Sequence, residues 1–223
     1  FYDNPSEKIK LIGVTGTNGK TTVATLLHAL YQSLGHKSGL LSTVVYKIGS
    51  ATYEATHTTP DAIRLNGMLR EMVDSGCKYC FMEVSSHAVD QQRISGLNFD
   101  TALFTNISRD HLDYHKTYDA YISAKKKFFD GLSSKSISIV NIDDKHGSTM
   151  LHHTKAKKKT FALRSAADYK CKIIENQFSG LHLNINGQDV YTKLIGSFNA
   201  SNLLLTYATA IELGENQLQV LTV

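Results

Sequence analysis

The sequence predicts an α/β protein: a mostly parallel, doubly wound sheet with a phosphate-binding loop, extended by a small antiparallel β meander. Three observations predict it. The apolar run Leu11 to Thr15 enters the turn Gly16-Thr-Asn-Gly-Lys-Thr-Thr22 and continues into a helix-forming run, Val23 to Leu34. Downstream, short apolar runs alternate with segments of helical periodicity, as strands joined by crossover helices do. From Asp168 to Leu194 the period shortens to two residues around Gly180 and Asn186-Gly187, a tight-turn signal between antiparallel strands.

After the loop and its helix, Lys37 to Ser42 reads as a second strand. Val44 to Ile48 and Ala51 to Thr56 flank Gly49-Ser50, a two-residue hairpin signal. In Thr58-Thr-Pro-Asp61, Thr59 can cap a helix with Pro60 at its first position, and Ile63, Leu65, Met68, Leu69, Met72 and Val73 form its apolar stripe as far as Gly76. Tyr79 to Val84 and Phe99 to Thr105 read as buried strands. Helices are expected over Tyr118 to Leu132 and Asp143 to His153, strands over Ser136 to Asn141 and Lys159 to Leu163, and a last helix over Asn199 to Leu213, stopped by Gly214.

The 223 residues suffice for one large α/β domain with a sizeable core. A net charge of +4 is mild, and the basic clusters Lys125-Lys-Lys127 and Lys155-Ala-Lys-Lys-Lys159 lack aromatic interleaving, so no nucleic-acid partner is expected. Without a membrane-length apolar run or a signal-like N-terminus, membrane insertion and secretion are not expected either. Cys77, Cys80 and Cys171 cannot all pair with one another, which suits reduced thiols in the cytoplasm. Cys77-Lys-Tyr-Cys80 has no second ligand pair for zinc. The chain lacks a start Met and stops at Leu221-Thr-Val223, so it reads as a piece of a longer protein.

The loop is a shortened form of G-x-x-x-x-G-K-[ST], since Val14 stands five residues before Gly19. Read as a phosphate loop, it offers backbone N–H groups around Gly16 and Gly19, the positive end of a helix, and Lys20 for the outer phosphates. Thr21 would ligate magnesium. The alternative is a glycine turn capped by Thr17 or Asn18. In open α/β sheets ligands lie beyond the carboxyl ends of the strands, so Glu83 and Asn106 are expected to face the same ligand. Glu83 and Thr21 are hard oxygen ligands for magnesium, whereas His87, His111 and His115 lack the spacing of a zinc site. His111 suits a single metal or phosphate contact. Lys125, read alone, belongs to a solvated helical cluster.

Taken together, T-G-T-N-G-K-T-T (15–22), T-T-P-D (58–61), M-E-V-S-S-H (82–87), T-N-I-S-R-D-H-L-D-Y-H (105–115), Ala124-Lys125 and G-S-F-N-A-S-N (196–202) resemble the Mur ligases in kind and order. The resemblance covers nearly the whole chain and implies that residues 1–223 are the central ATP-binding domain of a three-domain ligase, lacking the uridine-binding and amino-acid-selecting domains. It implies ATP-dependent amide formation in cell-wall peptidoglycan synthesis through an acyl phosphate, with ATP and Mg2+ as cofactors. The partners would be a UDP-N-acetylmuramoyl dipeptide and a diamino acid, and a monomeric, cytoplasmic protein is expected.

By the same resemblance, Gly16, Thr17, Asn18, Gly19, Lys20, Thr21 and Thr22 would hold the phosphates, and Thr21 and Glu83 a first magnesium. His111 and a carbamylated Lys125 would hold a second; carbamylation turns a cation into an anion with two oxygen ligands. Asn106 would contact ATP and Asn199 the adenine side, although Asn199 could equally be a helix cap. Thr58, Thr59, Ser85, Gln91 and Arg93 match positions that hold the muramoyl peptide, Arg93 being suited to a bidentate clamp. A related ligase, such as folylpolyglutamate synthetase, shares the loop and the carbamate but fits T-T-P-D and M-E-V-S-S-H less well. A nucleotide-binding module without turnover is the other alternative.

Overall fold

The computed structural model describes residues 2–108, 110 and 112–222. Strand β1 (Lys10–Thr15) leads into α1 (Lys20–Ser33), β2 (Ser38–Leu41), the hairpin β3 (Val45–Ile48) and β4 (Ala51–Glu54), and α2 (Ala62–Asp74). Next come β5 (Tyr79–Glu83), α3 (Ser86–Asp90), β6 (Thr101–Phe104), α4 (Leu112–His115) and α5 (Tyr118–Asp130). They are followed by β7 (Ile137–Asn141), α6 (Gly147–Leu151) and β8 (Lys157–Ala162). The meander is β9 (Tyr169–Gln177), β10 (Gly180–Ile185) and β11 (Gln188–Thr192), and α7 (Ser197–Glu212) and α8 (Gln217–Thr222) come last.

These strands form one sheet in the order β11-β10-β9-β8-β7-β6-β1-β5-β2-β3-β4. Pairing is parallel from β2 through β5, β1, β6, β7 and β8 to β9, and antiparallel in the hairpin and the meander at the two edges. The meander is therefore continuous with the main sheet, joined through Phe161 opposite Tyr169 and Ala162 opposite Lys170.

Alternation along the strands sorts the core into two layers. Leu11, Cys80, Met82, Ala102 and Phe104 pack with α2 and α5 on one face. Ile12, Val14, Phe81 and Leu103 pack with α1 and α7 on the other. Glu83 has the parity of Tyr79 and Phe81, which turns it to the α1 face just as β5 ends. Gly13 has the opposite parity: a Cβ there would lie 2.6 Å from the Phe128 ring, so its absence lets α5 settle onto β1. Tyr121, Lys125 and Phe129 form one buried stripe of α5, each four residues from the next.

Several expectations need correction. Thr59 does not cap α2: Asp61 does, its carboxylate accepting from the N–H groups of Ile63 and Arg64 at 3.0 Å each, while Pro60 lies before the helix. The helix expected over Asp143 to His153 shrinks to Gly147–Leu151. The Asp143 carboxylate is drawn to the N–H groups of Leu163, Arg164 and Ser165, and Asp144 to those of Ile107 and His146, which fixes the segment as a loop. Lys125 is not solvated but 1% exposed, whereas its neighbour Lys127 is exposed. The short helices α3, α4 and α8 were not anticipated. Among the described residues no helix is long and apolar enough to cross a membrane. All three cysteines are buried free thiols, so the C-x-x-C spacing carries no bridge.

Candidate active site

Beyond Thr15 the chain turns at Gly16, whose φ is 149° and whose Cβ, if present, would lie 1.9 Å from Thr105 Oγ1. Only glycine fits. At Gly19, with φ 88°, the chain enters α1 without any side chain capping it. The first-turn N–H groups, which include those of Thr21 and Thr22, thus point out of the helix without intrahelical acceptors. Such a terminus attracts anions. The end of β6 clamps the loop: Asn106 accepts from Thr17 N through its carbonyl (2.8 Å) and from Asn18 N through Oδ1 (3.1 Å). Asn106 Nδ2 and the Thr105 hydroxyl both donate to the Asn18 carbonyl, at 3.1 and 2.6 Å.

Two amines converge on the Gly16 carbonyl. Lys20 Nζ donates to it at 3.1 Å and to Thr17 O at 2.9 Å, while Lys125 Nζ, from the other face of the sheet edge, donates at 2.9 Å. Burial holds the Lys20 amine below the ordinary lysine value, with Glu83 and Asp110 pulling it back up. Burial, helped by the charge of Lys20, pushes Lys125 well below the ordinary value, and Asp110 opposes this. Asp110 itself is exposed.

Glu83, fully buried, faces the first turn of α1. Its Oε1 accepts from the Thr21 hydroxyl (2.8 Å) and from Thr43 N (2.7 Å), and its Oε2 from the Thr43 hydroxyl (3.1 Å). Among the described residues no lysine or arginine forms an ion pair with it. A buried carboxylate touching only hydroxyl and amide donors, beside a threonine hydroxyl, is a donor set that fits a hard divalent cation. Among the described residues no group of three or more His, Cys, Asp or Glu is placed to hold a metal ion.

Thr58, Thr59, Ser85, Gln91 and Arg93 come together next to Glu83. The buried Thr59 hydroxyl donates to Glu83 O (2.8 Å) and accepts from Ser85 N (3.1 Å). Arg93 Nη1 donates to Thr59 O (2.8 Å), and its Nε and Nη2 grip Gln91 Oε1 at 2.9 and 2.6 Å. Thr58 Oγ1 accepts from the Thr43 hydroxyl at 3.1 Å. Ser85 caps α3, bonding Ala88 N at 3.1 Å. Asn199 lies inside the first turn of α7 and does not cap it; its Nδ2 donates to Ile195 O at 2.9 Å, and its Oδ1 accepts from Asn202 at 3.2 Å. His111 lies outside the described residues. Of the other histidines, His115 is buried and bonded to Ser86 Oγ at 2.9 Å, and the His87 ring lies 4.0 Å from that of Tyr114, tilted by 48°.

Residues not singled out in the sequence complete the site: Thr43 on Glu83, Thr105 on the loop, and Tyr121, whose hydroxyl lies 3.0 Å from Thr17 Oγ1. Thr43 follows β2 at the same sheet edge as Glu83, so the strand-end rule could have found it.

A central parallel strand ending in a glycine turn, an uncapped helix N-terminus, a lysine folded over the loop and a buried carboxylate against a threonine give the chain the form of a phosphate-loop domain. The family follows from comparison: residues 14–210 match the Mur ligase middle domain, and the chain belongs to the Mur ligase family. It is 56% identical over 221 residues to the UDP-N-acetylmuramoyl-L-alanyl-D-glutamate–2,6-diaminopimelate ligase of Cytophaga hutchinsonii, covering 99% of this chain and 46% of that protein. The ligase of the same name from Parabacteroides distasonis is 53% identical over 223 residues, covering all of this chain and 46% of the relative. A solved structure bearing that ligase's name superposes with a TM-score of 0.86 at 30% identity, covering 96% of this chain and 45% of the other. The chain thus spans about half the length of the relatives it matches.

Proposed function

We propose that this chain is the central, ATP-binding domain of a cytoplasmic ligase that adds 2,6-diaminopimelate as the third residue of UDP-N-acetylmuramoyl-L-alanyl-D-glutamate in peptidoglycan synthesis. The observation that carries the reading is the mouth of the loop, where Lys20 and Lys125 converge on one carbonyl beside the Thr21–Glu83 pair. The names of the relatives supply the substrate and the acceptor.

In this reading the glutamyl carboxylate of the dipeptide takes the terminal phosphoryl group of ATP, releasing ADP and leaving an acyl phosphate. The amine of diaminopimelate then attacks the acyl carbon, forming the amide and releasing phosphate and a proton. This chain's share is positioning and electrostatics. The Gly16–Thr22 turn holds the phosphates through backbone N–H groups, and Lys20 balances charge on the transferred group. Thr58, Thr59, Ser85, Gln91 and Arg93 hold the muramoyl peptide next to Glu83. Thr21 and Glu83 would hold magnesium, which would neutralise phosphate charge; His111 and a carbamylated Lys125 would hold a second ion.

The environment of Lys125 favours that modification. Carbamylation joins the unprotonated amine to carbon dioxide and expels one proton, and burial beside Lys20 favours the unprotonated form. In the full-length ligase, Lys20→Ala is expected to abolish ADP formation that depends on both the muramoyl dipeptide and the diamino acid. Unchanged turnover in that variant would sink the reading, and ADP formation driven by folate substrates instead would favour a folylpolyglutamate synthetase.

A further inference from the structure

We infer that Tyr121 is a positioning residue: it fixes the phosphate loop against the helix that carries Lys125. The inference rests on the proposed function in so far as nucleotide and Lys125 are taken to meet at this loop.

Tyr121 is fully buried on α5, one turn before Lys125. Its hydroxyl reaches Thr17 Oγ1 at 3.0 Å. Thr17 Oγ1 also accepts from Ser108 N at 3.0 Å and faces Ser108 O at 3.4 Å. A hydroxyl has one hydrogen and two lone pairs. With its hydrogen directed to Ser108 O and one lone pair taken by Ser108 N–H, the remaining lone pair of Thr17 is filled by the Tyr121 O–H. The tyrosine completes the set.

Its ring serves a second contact, with its centroid 4.6 Å from Lys125 Nζ, which also donates to the Gly16 carbonyl at 2.9 Å. Tyr121 therefore touches both parts of the site at once: Thr17, through which the loop is tied to Asn106 and Ser108, and the amine of Lys125. Phenylalanine would fill the same space in the core, so the hydroxyl has no packing role of its own. Carbamylation of Lys125 leaves one hydrogen on Nζ. That hydrogen can keep the bond to Gly16 O, so the ring and the carbonyl together restrict how the modified side chain is turned.

The test uses Tyr121→Phe, Tyr121→Leu, Thr17→Val and the Phe/Val double variant in the full-length ligase, with a non-hydrolysable ATP analogue and magnesium in calorimetry, and 13C-bicarbonate in NMR. A neutral hydrogen bond corresponds to about a five-fold change in an equilibrium. Tyr121→Phe is expected to weaken nucleotide binding about five-fold while keeping the 13C carbamate signal. The losses in Tyr121→Phe and Thr17→Val are expected to combine less than additively in the double variant, because the two changes remove one shared bond. Tyr121→Leu is expected to lose most of the carbamate signal, with phenylalanine restoring it.

Wild-type binding in Tyr121→Phe, or additive losses in the double variant, would overturn the inference and leave Tyr121 as packing alone. If wild type itself binds no nucleotide and gives no carbamate signal, the proposed function fails instead. Amide exchange at Ser108 then decides the link without any ligand: several-fold faster exchange in Tyr121→Phe supports it, and unchanged exchange refutes it.

Discussion

Glu83→Gln separates the charge of this carboxylate from its hydrogen bonds. Two donors, the Thr21 hydroxyl and Thr43 N, both meet Oε1, and a glutamine can place its carbonyl oxygen there. Its amide nitrogen then falls where Oε2 was, facing the Thr43 hydroxyl. That hydroxyl can turn to accept, since its hydrogen has a second acceptor in Thr58 Oγ1 at 3.1 Å. Every bond is kept, so stability should change by less than about 1 kcal/mol, a melting shift of about 2–4 °C at most for a domain of this size. Only the negative charge is lost.

Magnesium affinity responds differently. Removing even an indirect partner of a metal site costs about 10–100-fold, so losing an anionic ligand should cost at least about 100-fold in the magnesium dependence of nucleotide binding. Glu83→Ala, by contrast, leaves the Thr43 N–H and the Thr21 hydroxyl without this acceptor; both bonds are only partly buried, so the cost is at the lower end of about 1–3 kcal/mol each. The assay is calorimetric nucleotide titration over a magnesium series, with melting curves for the same samples. Wild-type magnesium dependence in Glu83→Gln would refute the assignment of Glu83 to the metal. A melting loss as large as that of Glu83→Ala would refute the bonding argument.

Two further outcomes follow from single residues. Gly16→Ala pushes a Cβ to 1.9 Å from Thr105 Oγ1 at a φ of 149°, so it should displace the loop and abolish nucleotide binding in calorimetry; binding within two-fold of wild type contradicts the close packing. His28, buried on α1 with Lys47 nearby, titrates at about 4 in the folded protein against 6.5 ordinarily. The unfolded chain takes up that proton first, so its contribution to stability is complete above pH 6.5 and falls as the pH drops towards 4. The loss from pH 7 to pH 5 is about 2 kcal/mol. His28→Gln should flatten the melting profile over that window, and an unchanged slope removes His28 as its cause.

Much of this molecule was legible beforehand because its signals are local. The loop, its flanking strand and helix, the strand–helix alternation and the Asn186-Gly187 turn each lie within a few residues of one another, and Ser197–Glu212 falls within two residues of the expected span. What escaped depends on partners far along the chain. Asp143 and Asp144 look like the start of a helix, yet their carboxylates are claimed by backbone N–H groups from 107 and 163–165, so only Gly147–Leu151 coils. Thr59 has the pattern of a cap but serves Glu83 and Ser85 across the sheet edge.

The same holds for the site. Composition places Lys125 in a cationic cluster on a solvated face, and only the register of α5 shows that it belongs to the buried stripe with Tyr121 and Phe129. Thr43 has no motif at all; its importance comes from where β2 ends relative to β5, which is a property of strand order.

The most direct test of the central claim is calorimetric titration of this chain with magnesium and a non-hydrolysable ATP analogue, beside Lys20→Ala. The account predicts one-site, magnesium-dependent binding by the wild-type chain and none by the variant. Equal binding by the two, or binding indifferent to magnesium, would contradict a phosphate site built on Lys20, Thr21 and Glu83.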